Sequence, residues 1–146
     1  MRLRAASGNA FELLVLRYEF PDITEDRWDA NWLVVSGKVT TADNGWQFVH
    51  PCVTTFELAD FADWLDTLAT DGEQYAFTEP NLAFTYSAQP APALRVRFAH
   101  ESAPPWVTGD APELILEFPL DETDVHAAAA ELRNALIEYP IRGGAA

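Results

Sequence analysis

Apolar and polar positions along this chain fall into many short stretches with a two-residue beat and two longer ones with a helical beat. "AFELLVLRYEF" (10–20) is a nearly continuous run of strand-favouring residues, as a strand covered on both faces would be. "NWLVVSGKVTT" (31–41) sets Leu33, Val35 and Val39 against Trp32, Ser36 and Lys38. "ADNGW" (42–46) carries Asn-Gly, a strong hairpin signal, and "WQFVHPCVTT" (46–55) is the returning strand. Pro51 marks that strand as an edge or a bulge. Four more strands are predicted at "EQYAFTE" (73–79), "NLAFTYSA" (81–88), "ALRVRFAH" (93–100) and "ELILEF" (113–118). Their connections are "EP" (79–80), "QPAP" (89–92) and the Pro-rich "ESAPPWVTGDAP" (101–112).

The first helix is announced by Thr54-Thr55-Phe56-Glu57, a capping box with Thr54 as N-cap and Glu57 reaching back. It should run to about Ala69. At about 100° per residue, Leu58, Phe61, Trp64, Leu65 and Leu68 share one third of the circumference, and Glu57, Asp60, Asp63 and Asp66 the opposite half. The second helix is predicted from Asp121 to about Tyr139, with Val125, Ala129, Leu132, Leu136 and Tyr139 as its stripe. Asp121, Glu122 and Asp124 fall in its first turn, where the dipole favours them, and Pro140 stops it.

Short hairpin connections predict an α+β fold. A mostly antiparallel sheet of about six to seven strands is packed against two amphipathic helices. The chain of 146 residues is expected to form one domain, 1–146, frayed at 1–9 and 141–146.

Charge sharpens the picture. Nine Lys and Arg against 23 Asp and Glu leave a formal net charge of −14. Such a surface repels nucleic acid and tolerates a basic protein partner. The single cysteine, Cys52, rules out an intramolecular disulfide and a multi-cysteine zinc site, in keeping with a reducing compartment. "MRLRAASGNAFELLVL" is interrupted by Glu12 and meets Arg17, so it does not read as a signal peptide. No apolar stretch approaches the roughly 18–20 residues of a membrane span. A cytoplasmic location is expected.

Candidate chemistry is sparse. His50 and Cys52 share a strand face, yet their side chains would project in parallel and no neighbouring Asn or Asp orients the imidazole, so a small buried cysteine is the better reading. His100 and His126 lack metal-ligand spacing. Asp22, Glu25, Asp26 and Asp29 suggest calcium, but the alternation and glycine of an EF-hand loop are missing and Arg27 competes as a cation. There is no G-x-S-x-G, no glycine-rich phosphate loop and no H-E-x-x-H. An enzyme is the weaker class, and no cofactor or metal is expected. The alternative is a small ligand-binding or enzymatic α+β domain with a pocket around Trp46, His50, Tyr86 and Trp106.

One pattern exceeds an ordinary solvated surface. Between Lys38 and Arg95 there is no Lys or Arg, while eight acids occur: Asp43, Glu57, Asp60, Asp63, Asp66, Asp71, Glu73 and Glu79. Like charges at helical spacing repel, so an unpaired acidic stripe invites either an organism-wide acidic bias or a basic partner. Upstream, "YEFPDITEDRWDANWL" (18–33) reads as a strand, a loop and a strand, with tryptophans holding the loop and Asp22, Glu25 and Asp26 outward.

"YEFP" (18–21), "DANWL" (29–33), "FELADFADWLDTL" (56–68), "FTEPNLAF" (77–84) and "YPIR" (139–142), in this order and spacing, resemble the WapI-type family of bacterial immunity proteins over nearly the whole chain. The resemblance implies a small, non-catalytic cytoplasmic protein. Its partner would be the C-terminal toxin domain of a cell-surface contact-inhibition protein, in the type case a tRNA-cleaving nuclease. On that reading Asp22, Glu25, Asp26, Asp60, Asp63 and Asp66 are the candidate partner-binding residues.

Overall fold

The computed structural model describes residues 1–143. Its order is β1 (Arg2–Arg4), β2 (Ala10–Tyr18), β3 (Trp32–Thr40), β4 (Gly45–Thr54), α1 (Thr55–Asp66), β5 (Gln74–Ala76), β6 (Leu82–Ser87), β7 (Ala93–Ala99), a 3-10 turn (His100–Ser102), β8 (Glu113–Pro119) and α2 (Val125–Glu138). The expected α+β class holds, with eight antiparallel strands. They form two four-stranded sheets, β1-β2-β3-β4 and β5-β6-β7-β8, rather than one.

The split follows from α1. It leaves β4 at Thr54, and the chain re-enters at β5 to begin a new meander. The sheets face each other through edge-on aromatic contacts, Phe11 to Phe98 at 4.9 Å and Trp46 to Phe98 at 5.4 Å. Along one side the helix pair spans the opening. α2 lies against β1, and α1 drives Phe61 onto Phe84 of β6 at 4.3 Å and Tyr75 of β5 at 5.1 Å. Trp46 of β4 ties the first sheet to the 3-10 turn after β7, donating its indole N–H to Ser102 O at 2.9 Å.

Residues 1–9 are not frayed, contrary to expectation. Arg2–Arg4 add a strand to the edge of the first sheet, and Met1 and Leu3 are buried in the core. Arg-Leu-Arg carries no periodicity of its own; β2 supplies its hydrogen bonds and α2 its cover. Of the expected loose C-terminus, Arg142 is firmly bonded, and residues 144–146 lie outside the described residues.

Local signals were followed with small shifts. The Thr54–Glu57 capping box forms as predicted. α1 ends at Asp66, earlier than Ala69. α2 starts at Val125 with Asp124 as N-cap, so Asp121 and Glu122 precede it. The Asn44-Gly45 hairpin is not a two-residue turn: Gly45 is already paired with Thr40, and the loop is Thr41–Asn44. Gly37 is required for a different reason. The Phe48 ring lies across it, and a Cβ there would sit 2.1 Å from that ring.

Candidate functional site

Each of the six candidate partner-binding acids sits on one of two supports, the loop between β2 and β3 or helix α1. The loop from Glu19 to Asn31 contains a single helical turn. Asp26 starts it: its Oδ1 accepts from the backbone N–H groups of Trp28 (2.8 Å) and Asp29 (2.7 Å). Ala30 and Asn31 then donate to the carbonyls of Asp26 and Trp28.

Asn31 is the clamp beneath. It is 1% exposed. Its amide donates to Arg27 O (2.7 Å) and Arg142 O (2.8 Å), and its carbonyl oxygen accepts from Arg142 N (2.9 Å) and the Thr55 hydroxyl (2.5 Å). All four bonding capacities of a buried amide are therefore used. Arg142 completes the clamp, with its guanidinium 3.4 Å from the Tyr18 ring centroid and donating to Pro21 O at 3.0 Å. Gly143, in the left-handed region at φ 71°, passes so close to the carbonyls of Glu25 and Asp26 that a Cβ would lie 3.0 Å from them. The loop is thus held by the start of α1 and by the C-terminal segment, with Asp22, Glu25, Asp26 and Asp29 exposed above it.

The tryptophans divide the work unequally. Trp32 is half-buried, whereas Trp28 remains 44% exposed. Trp28 meets Phe56 of α1 edge-on at 5.1 Å and Trp32 at 6.3 Å, and the Arg27 guanidinium lies 5.1 Å from the Phe56 ring. Phe56 ties the loop to the helix acids. Asp60 follows it by one turn, about 6 Å along the axis, on the same face.

The helix acids are not equivalent. Asp60 is exposed and, among the described residues, in no ion pair. Asp63 and Asp66 were expected to be unpaired. They grip Arg133 of α2 at 2.8 and 2.6 Å, and Asp66 also meets His126 Nδ1 at 2.7 Å. The hydrogen bonds from His126 and Arg133 hold the Asp66 carboxyl below its ordinary value. Glu57, expected on the polar half, is buried. Its carboxylate accepts from the Thr54 N–H and hydroxyl and from Thr78 N (2.6 Å), linking α1 to the entrance of β6.

The other candidates separate. A bulge opposite Val34 breaks the alternation of β4 between His50 and Val53. Cys52 is 1% exposed, and burial, with Glu79 and Glu101 nearby, pushes its thiol up to about 12. His50 is half-exposed and points at Glu101 (3.7 Å), whose carboxyl is held low by backbone and Asn81 hydrogen bonds. His126 is on the α1–α2 clasp. Trp46 is buried with Trp106 packed on it at 5.5 Å, and Tyr86 is largely buried on β6. Among the described residues no three His, Cys, Asp or Glu side chains are placed to hold a metal ion, and no helix is long and apolar enough to cross a membrane. Surface depressions lie over β1 to β3 (about 290 Å³) and on the outer face of the second sheet around Arg95 and Arg97 (about 420 Å³).

What results is a cross-linked loop that leaves the Trp28 ring exposed beside the carboxylates of Asp26 and Asp29. The model of the WapI-like immunity protein family matches residues 2–140, and the chain belongs to that family. Membership supports an immunity role and implies a toxin as partner in general terms. No curated relative matches the chain.

Proposed function

We propose that this protein is a non-catalytic immunity protein that acts in the cytoplasm, binding and neutralising a basic toxin domain such as a nuclease. The observation that carries the reading is family membership together with the rigid acidic loop. A nuclease must present a basic groove to its substrate, and a chain of charge −14 both fills such a groove and is drawn to it. Asp22, Glu25, Asp26 and Asp60 are the steering charges. Asp63 and Asp66 add to the field, less what Arg133 cancels.

The test is association kinetics with the cognate toxin domain. Reversing Asp22 and Glu25 to Lys, with Asp26 kept because its carboxylate caps the turn that carries Trp28, should slow association at least tenfold at low salt and leave dissociation much less changed. The difference should shrink at physiological ionic strength, where the Debye length is about 8 Å. Parental association rates in that variant and in Asp60→Lys would show that the acids are only solvated surface.

A further inference from the structure

We infer that exposed Trp28, backed by the half-buried rings of Trp32 and Phe56 and with Arg27 laid over Phe56, is the anchor of the interface. Its occupant is an apolar side chain of the toxin domain flanked by Lys or Arg. The inference rests on the immunity reading and assigns it a face.

Three observations on this face converge. First, aromatic surface is left in water on a loop that is cross-linked by hydrogen bonds beneath it. Asn31 and Arg142 hold the backbone below, so Trp28 is presented in one place and loses little conformational freedom on binding. Trp and Arg around a fixed apolar centre are the residue types that dominate binding energy in interfaces. Second, Arg27 stands amid Asp22, Glu25, Asp26 and Asp29, yet among the described residues it forms no ion pair. Its guanidinium covers Phe56, leaving donors for the partner's carbonyl groups. Third, the rim is acidic: Asp26 and Asp29 flank Trp28, and Asp60 lies one turn beyond Phe56.

The rim selects the occupant. A second copy of this chain would bring carboxylates against carboxylates across a two-fold axis, and nucleic acid would meet the same repulsion. A basic protein surface satisfies both the rings and the rim. A standard interface covers about 800 Å² per partner, roughly a tenth of the 7708 Å² surface of this chain.

The experiment uses the full chain and its purified cognate toxin domain. Trp28→Ala and Phe56→Ala should each speed dissociation at least about 30-fold, with the salt dependence of association unchanged. Trp106→Ala, which removes an equally exposed ring elsewhere (47%), should match the parent. Binding should shift tryptophan emission to the blue, and Trp28→Phe, which keeps an aromatic ring in place, should abolish most of that shift. If the parent binds while Trp28→Ala and Phe56→Ala dissociate at the parental rate, the anchor is elsewhere and the inference falls, with the immunity reading intact. Should the parent itself fail to bind the domain, both fall. A concentration-dependent dimer that Trp28→Ala dissolves would also overturn the assignment, because the occupant would be a second copy.

Discussion

The loop acids and the helix acids look alike in sequence and differ in what the fold does with them. Asp22, Glu25 and Asp26 project from a backbone secured by Asn31 and Arg142. Apart from the turn bonds of Asp26, their carboxylates make no hydrogen bond or ion pair among the described residues. Asp63 and Asp66 are spent internally, holding α2 to α1 through Arg133 and His126. Formal charge therefore overstates the field of α1, and the loop together with Asp60 carries more of the accessible negative potential. The lesson concerns supply: a cation of the same chain that reaches an acid cancels part of its field even where the acid stays exposed, as at Asp63.

Each region can be broken from below, and the largest effect is expected under the helix. Leu65, 1% exposed beneath the Asp63–Asp66 face, should destabilise by about 2–4 kcal/mol on replacement by Ala, read by chemical denaturation. Asn31→Ala removes the loop clamp, leaving the carbonyls of Arg27 and Arg142 and the buried Thr55 hydroxyl without that partner. The expected loss is on the order of 2 kcal/mol, and hydrogen exchange should rise in residues 22–30 before the rest of the fold responds.

The clasp itself makes a smaller, pH-dependent contribution. Asp66 titrates below its ordinary 3.8 in the folded chain. Its stabilisation is therefore fully present above pH 3.8 and is lost as pH falls through the lower folded value. Asp66→Asn should be less stable than the parent near neutrality, and the gap should close on acidification below pH 3.8. A gap that persists in acid would mean that packing, not charge, holds the helices together there. The smallest stability change belongs to the loop. Asp22→Lys and Glu25→Lys should stay within about 0.5 kcal/mol of the parent while altering association with the toxin domain. Cys52 offers a control outside both regions. Its thiol should resist alkylation in the native state at pH 8, and Cys52→Ala should leave toxin binding unchanged.

Much of the architecture was legible in the chain because its causes are local. Thr54 and Glu57 are three residues apart, so their capping box could be read directly. The stripe of Leu58, Phe61 and Leu65 requires only a helical period, and seven of the eight strands declare themselves by alternation or β-branched runs. The eighth, Arg2–Arg4, has no pattern of its own, because its burial is supplied by β2 and α2. The division into two sheets was equally hidden, since a run of hairpins reads the same whether α1 separates two meanders or caps one.

The candidate surface splits along the same line. Which residues carry charge, and that tryptophans flank the acidic loop, are properties of the chain itself. Which charges remain available was decided by contacts across 70 residues, Arg133 to Asp63, and which loop is rigid by contacts across 111, Asn31 to Arg142. Only the folded chain brings such partners within bonding distance. The exposure of Trp28 was settled the same way: its ring leans on Phe56, and among the described residues no element closes over its outer face.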